Sequence, residues 1–390
     1  MPGSHAILSS SAAYRWLNCT ASPRLEETVP ESTSEYAEEG TLAHAICEAK
    51  ISARLRGQND DVILNKLRSS ELYREEMEYY TDAYVDYVYG EFLTARKNTS
   101  DACLYVEKKL DFSAYIPEGF GTADAVIIAD GTLQVCDFKY GKGVLVEADR
   151  NPQMMIYGLG ALEEWGRFYD IDKVKMTIIQ PRLDNIDSYE LSVSTLEEWA
   201  KNVLAPKAWE AFEGKNVSQV RGDWCRFCKI KSSCRALADK TKEMASADFN
   251  MLTDKEKAEL FLLLPAVDSF ISSLKESMLA DALSGHEFEG LKLVEGRSNR
   301  IITNETKLGA RMVLAGYAEN DIYRPRQIQT ITALEKLTGK KNFAELSEGL
   351  IEKPEGKPTL VSETDKRPAV NLAGRDFKDI VFNSNSNSST

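Results

Sequence analysis

The 390-residue chain carries 61 acidic and 48 basic side chains, a net charge of −13, and 43% of it is hydrophobic. A chain of this size and apolar content buries a sizeable core, in two domains sooner than one, and its acidity excludes non-specific wrapping of nucleic acid over the whole surface. No run reaches the ~18 to 20 apolar residues of a membrane span, and "MPGSHAILSSSAAYRWL" lacks the charged start and apolar core of a secretory signal, so a cytoplasmic protein with no membrane partner is expected.

Cys19 stands early, in "LNCTASPRL". Over 35–55, Leu42, Ala45, Ile46, Ala49 and Ile51 recur at helical intervals behind a Gly40-Thr41 start, which predicts a helix carrying His44. A second, Tyr-rich helix is predicted over 71–96. The pattern then shortens: 103–112, 121–130 and 132–141 are rich in apolar and β-branched residues and read as strands, the last two joined by an Asp130-Gly131 turn. A helix from Pro152, a buried strand over 174–183 and a helix over 195–213 follow. This order predicts an α/β core with mixed strand pairing over residues 1–245. Beyond it, a mainly helical smaller unit is expected over 246–351, with one strand-like piece at 289–296, and 352–390 reads as an extended arm and low-complexity tail.

Two carboxylates lie on neighbouring predicted strands, Asp124 in "GTADAV" and Asp137 in "CDFKYGKG". Side chains alternate along a strand, so Asp137 and Lys139 share a face and Phe138 takes the other. Two buried carboxylates and one ammonium leave an uncompensated charge, which a hard divalent cation such as Mg²⁺ would balance. Gln153 and Tyr157, four apart on the following helix, project from one side. Glu107, on the strand before Asp124, is expected no closer than the water shell of such a cation and is not counted as a ligand. A surface hairpin with one Asp–Lys pair, and a helix histidine that merely packs, are the plain alternatives.

"CRFCKIKSSC" gathers Cys225, Cys228 and Cys234 into ten residues. In a reducing compartment such a cluster reads as a metal site sooner than as disulfides, and three thiolates leave one ligand to find. Arg221, Arg226, Lys229, Lys231, Arg235, Lys240 and Lys242 surround it against only Asp223 and Asp239, a run that charge alone assigns to a solvated face. Cys47, Cys103 and Cys136 read as small buried hydrophobes.

In this order, His44, "GTADAV", "DFK" and "QMMIY" resemble the PD-(D/E)xK nucleases of the RecB type over roughly 7–240. The cysteines are similar to those of the members related to the CRISPR adaptation nuclease and AddB, which hold a [4Fe-4S] cluster with one Cys before the nuclease core and a C-x2-C-x5-C after it. The resemblance implies a restriction-endonuclease-like core, a mixed central sheet flanked by helices. It implies a Mg²⁺- or Mn²⁺-dependent deoxyribonuclease, an exonuclease in phage recombination or DNA processing, with the ion held by His44, Asp124, Asp137 and the Phe138 carbonyl. Lys139 would orient water and steady phosphate charge, and Gln153 and Tyr157 would position DNA. Cys19 would complete the set with Cys225, Cys228 and Cys234; spacing does not separate an iron-sulfur cluster from zinc, which also takes four thiolates. The implied partners are DNA and a phage single-strand annealing or recombination protein, in a bacterial cell with the chain phage- or prophage-encoded. Two features depart from the pattern: "GTAD" lacks the Pro expected before the first acid, and the acidity suits a separate DNA-loading partner. The opposing class is a non-catalytic nucleic-acid-binding or assembly protein that keeps the fold and the cluster.

Overall fold

The computed structural model describes residues 6–30, 35–57, 61–246, 253–292, 310–311 and 313–315. By its contacts the chain divides into Met1–His286 and Glu287–Thr390. The arm and tail expected at 352–390 and most of the expected C-terminal helices lie outside the described residues. Of the strand-like piece at 289–296, residues 289–292 are described and form no strand.

The first unit opens with five helices, α1 (Ala13–Asn18), α2 (Ser22–Glu26), α3 (Glu35–Arg56), α4 (Asp61–Arg68) and α5 (Glu76–Asn98). The sheet and its flanking helices follow: β1 (Cys103–Asp111), β2 (Phe120–Ala129), β3 (Gly131–Phe138), α6 (Pro152–Trp165), β4 (Ile171–Gln180), β5 (Asn185–Ser192), α7 (Val193–Trp199) and α8 (Ala205–Glu213). A π-helical turn, Ala200–Leu204, joins the last two. The five strands lie in chain order, antiparallel except for β3 and β4. That parallel pair follows from α6, because only a crossover returns the chain to pair in the same direction. A mixed α/β sheet flanked by helices is thus observed, compatible with a restriction-endonuclease-like core.

Strands β2 and β3 each serve two cores. Val126, Ile128, Leu133 and Val135 pack under α6 with Met154, Leu159 and Leu196, while Ala125, Ile127, Cys136 and Phe138 meet α3 and α5 through Ile46, Tyr84 and Val88. Alternate residues of β2 and β3 take opposite sides, as a period of two requires. Cys47 and Cys136 are buried as expected, and Cys103 is half-buried. Helix α6 is buried from Met154 to Ala161; the Asn151 side chain caps it by accepting from the Gln153 and Met154 N–H groups. Gly160 lets it lie close against β1, since a Cβ there would stand 3.1 Å from Leu110 Cβ and 3.3 Å from the Asp111 carbonyl. Gly160→Leu is therefore expected to overpack this contact and destabilise the fold by about 1–3 kcal/mol. A lowered urea midpoint at unchanged slope would show it, and an unchanged midpoint would refute the close approach.

On the opposite face Glu78 ties three helices together. Its carboxylate lies 2.8 Å from Lys50 Nζ on α3 and 2.8 Å from Arg68 Nε on α4, and accepts from the Tyr73 hydroxyl at 3.1 Å. Burial alone would raise its pKa, but the bonds from Arg68 and Lys50 outweigh burial and bring it down from 4.5 to about 2. A depressed carboxyl pKa stabilises the fold above the unfolded value, and that stabilisation is lost as pH falls through the folded one. Glu78→Gln should thus be less stable than the parent at neutral pH and converge with it between pH 4.5 and about 2. Denaturant midpoints that keep a constant gap over that range would contradict the coupling.

After α8 the chain passes through the cysteine segment into α9 (Arg235–Ser246) and α10 (Asp254–Leu283). A capping box between Thr253 and Glu256 starts α10. Its Ala266 and Phe270 pack with Cys225, Cys234 and Leu237, and Ser269 Oγ accepts from Lys231 Nζ at 3.1 Å. These contacts keep α10 in the first unit, so the division falls after His286 and not near 245. No helix among the described residues is long and apolar enough to cross a membrane.

Candidate functional site

At one end of the sheet β3 reaches its last residue, Phe138, and Lys139 N–H donates to the Ile179 carbonyl at 2.9 Å, carrying the pairing with β4 one residue further. Asp137, only 3% exposed, and Lys139 both turn toward α6, where Gln153 bridges them. Gln153 Nε2 donates to Asp137 Oδ1 at 3.1 Å, and Gln153 Oε1 accepts from Lys139 Nζ at 3.1 Å. Lys139 Nζ also lies 2.8 Å from Asp137 Oδ2, but off its hydrogen-bonding direction, so this buried oxygen has no aligned donor. Burial pushes the Asp137 carboxyl up, against the pull of Lys139. For Lys139 the neighbouring carboxylate wins over burial and raises the ammonium.

Asp124 on β2 stands beside this pair. Its Oδ2 accepts from Phe138 N–H at 2.7 Å, and its Oδ1 lies 3.2 Å from Nδ1 of His44, which reaches in from α3. The imidazole rests edge-on to the Phe138 ring, centroids 5.3 Å apart. Glu107 Oε1 approaches the same Nδ1 to 3.9 Å. Burial would lower the pKa of His44, but the charge of Asp124 outweighs burial and lifts it to about 10. Three carboxylates therefore converge on two cations, His44 and Lys139.

Among the described residues His44, Glu107 and Asp124 form a group whose ligand atoms all lie within 4.8 Å of one another, each half-buried. Hard oxygen donors with one imidazole suit Mg²⁺ or Mn²⁺; Asp137 lies outside that group, with its Oδ2 facing Lys139 Nζ at 2.8 Å. Glu107, expected no closer than the water shell, thus stands among the candidate ligands themselves. Its placement comes from the backbone: Glu107 has φ +47° inside β1, and the pairing runs Val106–Ala125 then Lys108–Ala123, passing over it. Left-handed backbone at a non-glycine costs on the order of 1–3 kcal/mol and persists where its surroundings enforce it. Tyr157, one turn beyond Gln153, is buried and hydrogen-bonded to Ser10 and Gln153, which ties the helix to the N-terminal segment.

The four other expected ligands also meet. Cys19, Cys225, Cys228 and Cys234 line one small cavity, although about 200 residues separate the first from the rest. Burial raises the thiol pKa of Cys19 and Cys225, and lifts that of Cys228 to about 12. Polar contacts hold the walls: Arg15 donates to the Phe227 carbonyl at 3.0 Å and to Glu26 at 2.8 Å, Glu26 accepts from Lys229 N–H at 2.8 Å, and the Tyr14 hydroxyl donates to Asp223 at 3.0 Å. Sequence pattern offered no sign of the Arg15–Glu26 pair.

The solved structure described as "Crystal structure of SSO0001" shares 15% identity with the chain over 56% of this chain and 95% of that one, at a TM-score of 0.22, a likeness too weak to bear on fold or function. The model of the family described as "Protein of unknown function (DUF2800)" matches residues 5–368, and the chain therefore belongs to that family.

Proposed function

We propose that the protein is a metal-dependent DNA nuclease of the PD-(D/E)xK, RecB-like type, hydrolysing phosphodiester bonds as an exonuclease. The observation that carries the reading is the buried Asp137–Lys139–Gln153 set placed beside His44, Glu107 and Asp124. Asp124, Asp137, Glu107, His44 and the Phe138 carbonyl would hold Mg²⁺ or Mn²⁺. A cation bound there supplies Lewis acidity, activating water and offsetting phosphate charge. Lys139, fixed between Asp137 and Gln153, orients the attacking water and presents positive charge where charge develops on phosphorus. Gln153 holds both partners at that geometry, and Tyr157 anchors the helix that carries it. His44, whose pKa the Asp124 charge raises, would have to give up its proton before its imidazole could serve as a ligand.

The four thiols are read as ligands of a [4Fe-4S] cluster. That preference rests on the family resemblance; zinc, which also takes four thiolates, is the alternative. A phage recombination setting, with a single-strand annealing or recombination protein as partner, rests on family resemblance alone.

End-labelled linear and covalently closed circular DNA, incubated with purified protein with and without Mg²⁺ or Mn²⁺, tests the reading. Metal-dependent loss of the linear substrate with the circle spared is the expected result. Binding without cleavage in either metal would favour the second reading, a non-catalytic nucleic-acid-binding protein, which the close His44–Asp124 contact makes structurally self-consistent.

A further inference from the structure

Between β3 and α6 the chain makes a loop that begins directly after Lys139, and it is held in an unusual way. Gln180, the last residue of β4, is 2% exposed. Its side-chain amide donates to the Gly141 and Val144 carbonyls, both at 2.8 Å, and its Oε1 accepts from Val146 N–H at 3.2 Å. Two residues of β5 add further ties: Asn185 Nδ2 donates to the Val146 carbonyl at 3.0 Å, and Asp187 accepts from Ala148 N–H at 2.8 Å. One buried amide thus directs both of its donors and its acceptor oxygen at a single loop. The backbone of 141–148 is fixed while Lys142 stays exposed, and a Cβ added to Gly141 or Gly143 would meet nothing within 4 Å.

The electrostatics single out Lys142. A protein with net charge −13 that binds a polyanion needs local cations at its site. Lys139 is engaged by Asp137. Arg182, after β4, is held by Glu76 at 3.4 Å and Glu39 at 3.8 Å and lies over the Tyr140 ring. Lys142 is the next cation along the chain from Lys139 and has no carboxylate partner among the described residues.

We propose that Gln180 is a positioning residue that clasps this loop into a rigid rim of the candidate site, on which Lys142 binds a phosphate of the nucleic-acid backbone beside the bond to be cut. The inference rests on the nuclease reading and goes beyond it by naming a substrate contact and its support. Holding the loop in place before substrate arrives removes an ordering cost that a free loop would meet on binding.

The test measures binding of a fluorescently labelled DNA duplex with an overhang to the full-length protein in metal-free buffer, by anisotropy across a salt series, and follows cleavage separately in Mg²⁺. Lys142→Ala should weaken binding on the order of tenfold at low salt and reduce the salt slope by about one phosphate contact, with Lys142→Arg restoring both. Gln180→Leu, of similar size and without hydrogen-bonding groups, should weaken binding comparably, raise KM and leave kcat near the parent value. The double variant Gln180→Leu/Lys142→Ala should bind no worse than Lys142→Ala alone, because the clasp acts through the lysine. If Gln180→Leu does not fold, Gln180→Glu keeps the acceptor for Val146 and loses both donors, and carries the same expectation. Unchanged binding in Lys142→Ala, or additive losses in the double variant, would overturn the inference while leaving the nuclease reading standing. A parent protein that neither binds nor cuts DNA would overturn the reading beneath it.

Discussion

Asp137→Ala and Lys139→Ala are each expected to abolish Mg²⁺-dependent cleavage of linear duplex DNA in a protein that still folds. Asp137 is a buried carboxylate, held by Gln153 at Oδ1 and facing the Lys139 ammonium at Oδ2. Removing it takes a ligand from the proposed ion. Lys139 places an ammonium 2.8 Å from that oxygen, and removing it takes away the one positive side chain that Gln153 holds in place. Loss of a preorganised electrostatic contact costs ~10² to 10³ in rate, and loss of a metal ligand more. The two variants should differ in stability. Lys139→Ala leaves the buried Asp137 carboxyl without its cation, which destabilises the fold at neutral pH until the acid takes up a proton, whereas Asp137→Ala removes a group that burial already disfavours in its charged form. Because the residues act as a unit, the double variant should be no slower than the slower single one. Parent-like cleavage by either single variant would take the chemistry away from this pair.

Much of this arrangement could be read from residue order, and the exceptions have physical causes. The strands carrying Asp124 and Asp137 are apolar on both faces because helices cover both, so they stand out as β-rich runs, and Asp130-Gly131 marks the turn where Gly131 takes φ +78°. The alternation that set Asp137 and Lys139 against Phe138 is a property of any strand, and it holds here. Strand β5 was not foreseen, because its burial alternates between half-buried and exposed along "NIDSYELS" and an edge strand with one wet face has no apolar run to show. The short helices α1 and α2 are held by tertiary contacts such as Arg15 with Glu26, which no local pattern encodes. Glu107 was undervalued for a related reason: a left-handed residue inside a strand turns its side chain away from where period-two counting puts it. The boundary expected near 245 followed the end of the chemical motifs, but the compact unit is set by where α10 buries Ala266 and Phe270, against the cysteine segment.

Cys19→Ser is expected to cost stability before it costs chemistry. Cys19 lies after α1 and shares its cavity with three cysteines about 200 residues later, so a group bound by all four would close the chain from α2 through α8 as one loop. By analogy with a covalent cross-link, the chain-entropy model gives on the order of 5 kcal/mol for a loop of this length. The measured loss should be smaller, because the same two segments are also joined without any metal: Arg15 to the Phe227 carbonyl, Tyr14 to Asp223, and Glu26 to Lys229 N–H. Each such bond contributes on the order of 1 kcal/mol net, so together they hold the entry segment near the loop but do not replace four metal–sulfur bonds. The loss should extend beyond the cavity, since Phe270 and Ala266 of α10 pack on Cys225 and Cys234 and a loosened cysteine segment gives α10 a poorer seat. The His44, Glu107, Asp124 and Asp137 set stands on α3 and the sheet and contains no cysteine. The variant should therefore lose iron and acid-labile sulfide, melt at a lower temperature and admit protease earlier between α8 and α10, while the folded fraction at low temperature still cuts DNA with Mg²⁺. Unchanged metal and sulfide content would show that Cys19 is not a ligand. Metal loss at an unchanged melting temperature would show that the bound group does not hold the two ends of the unit together.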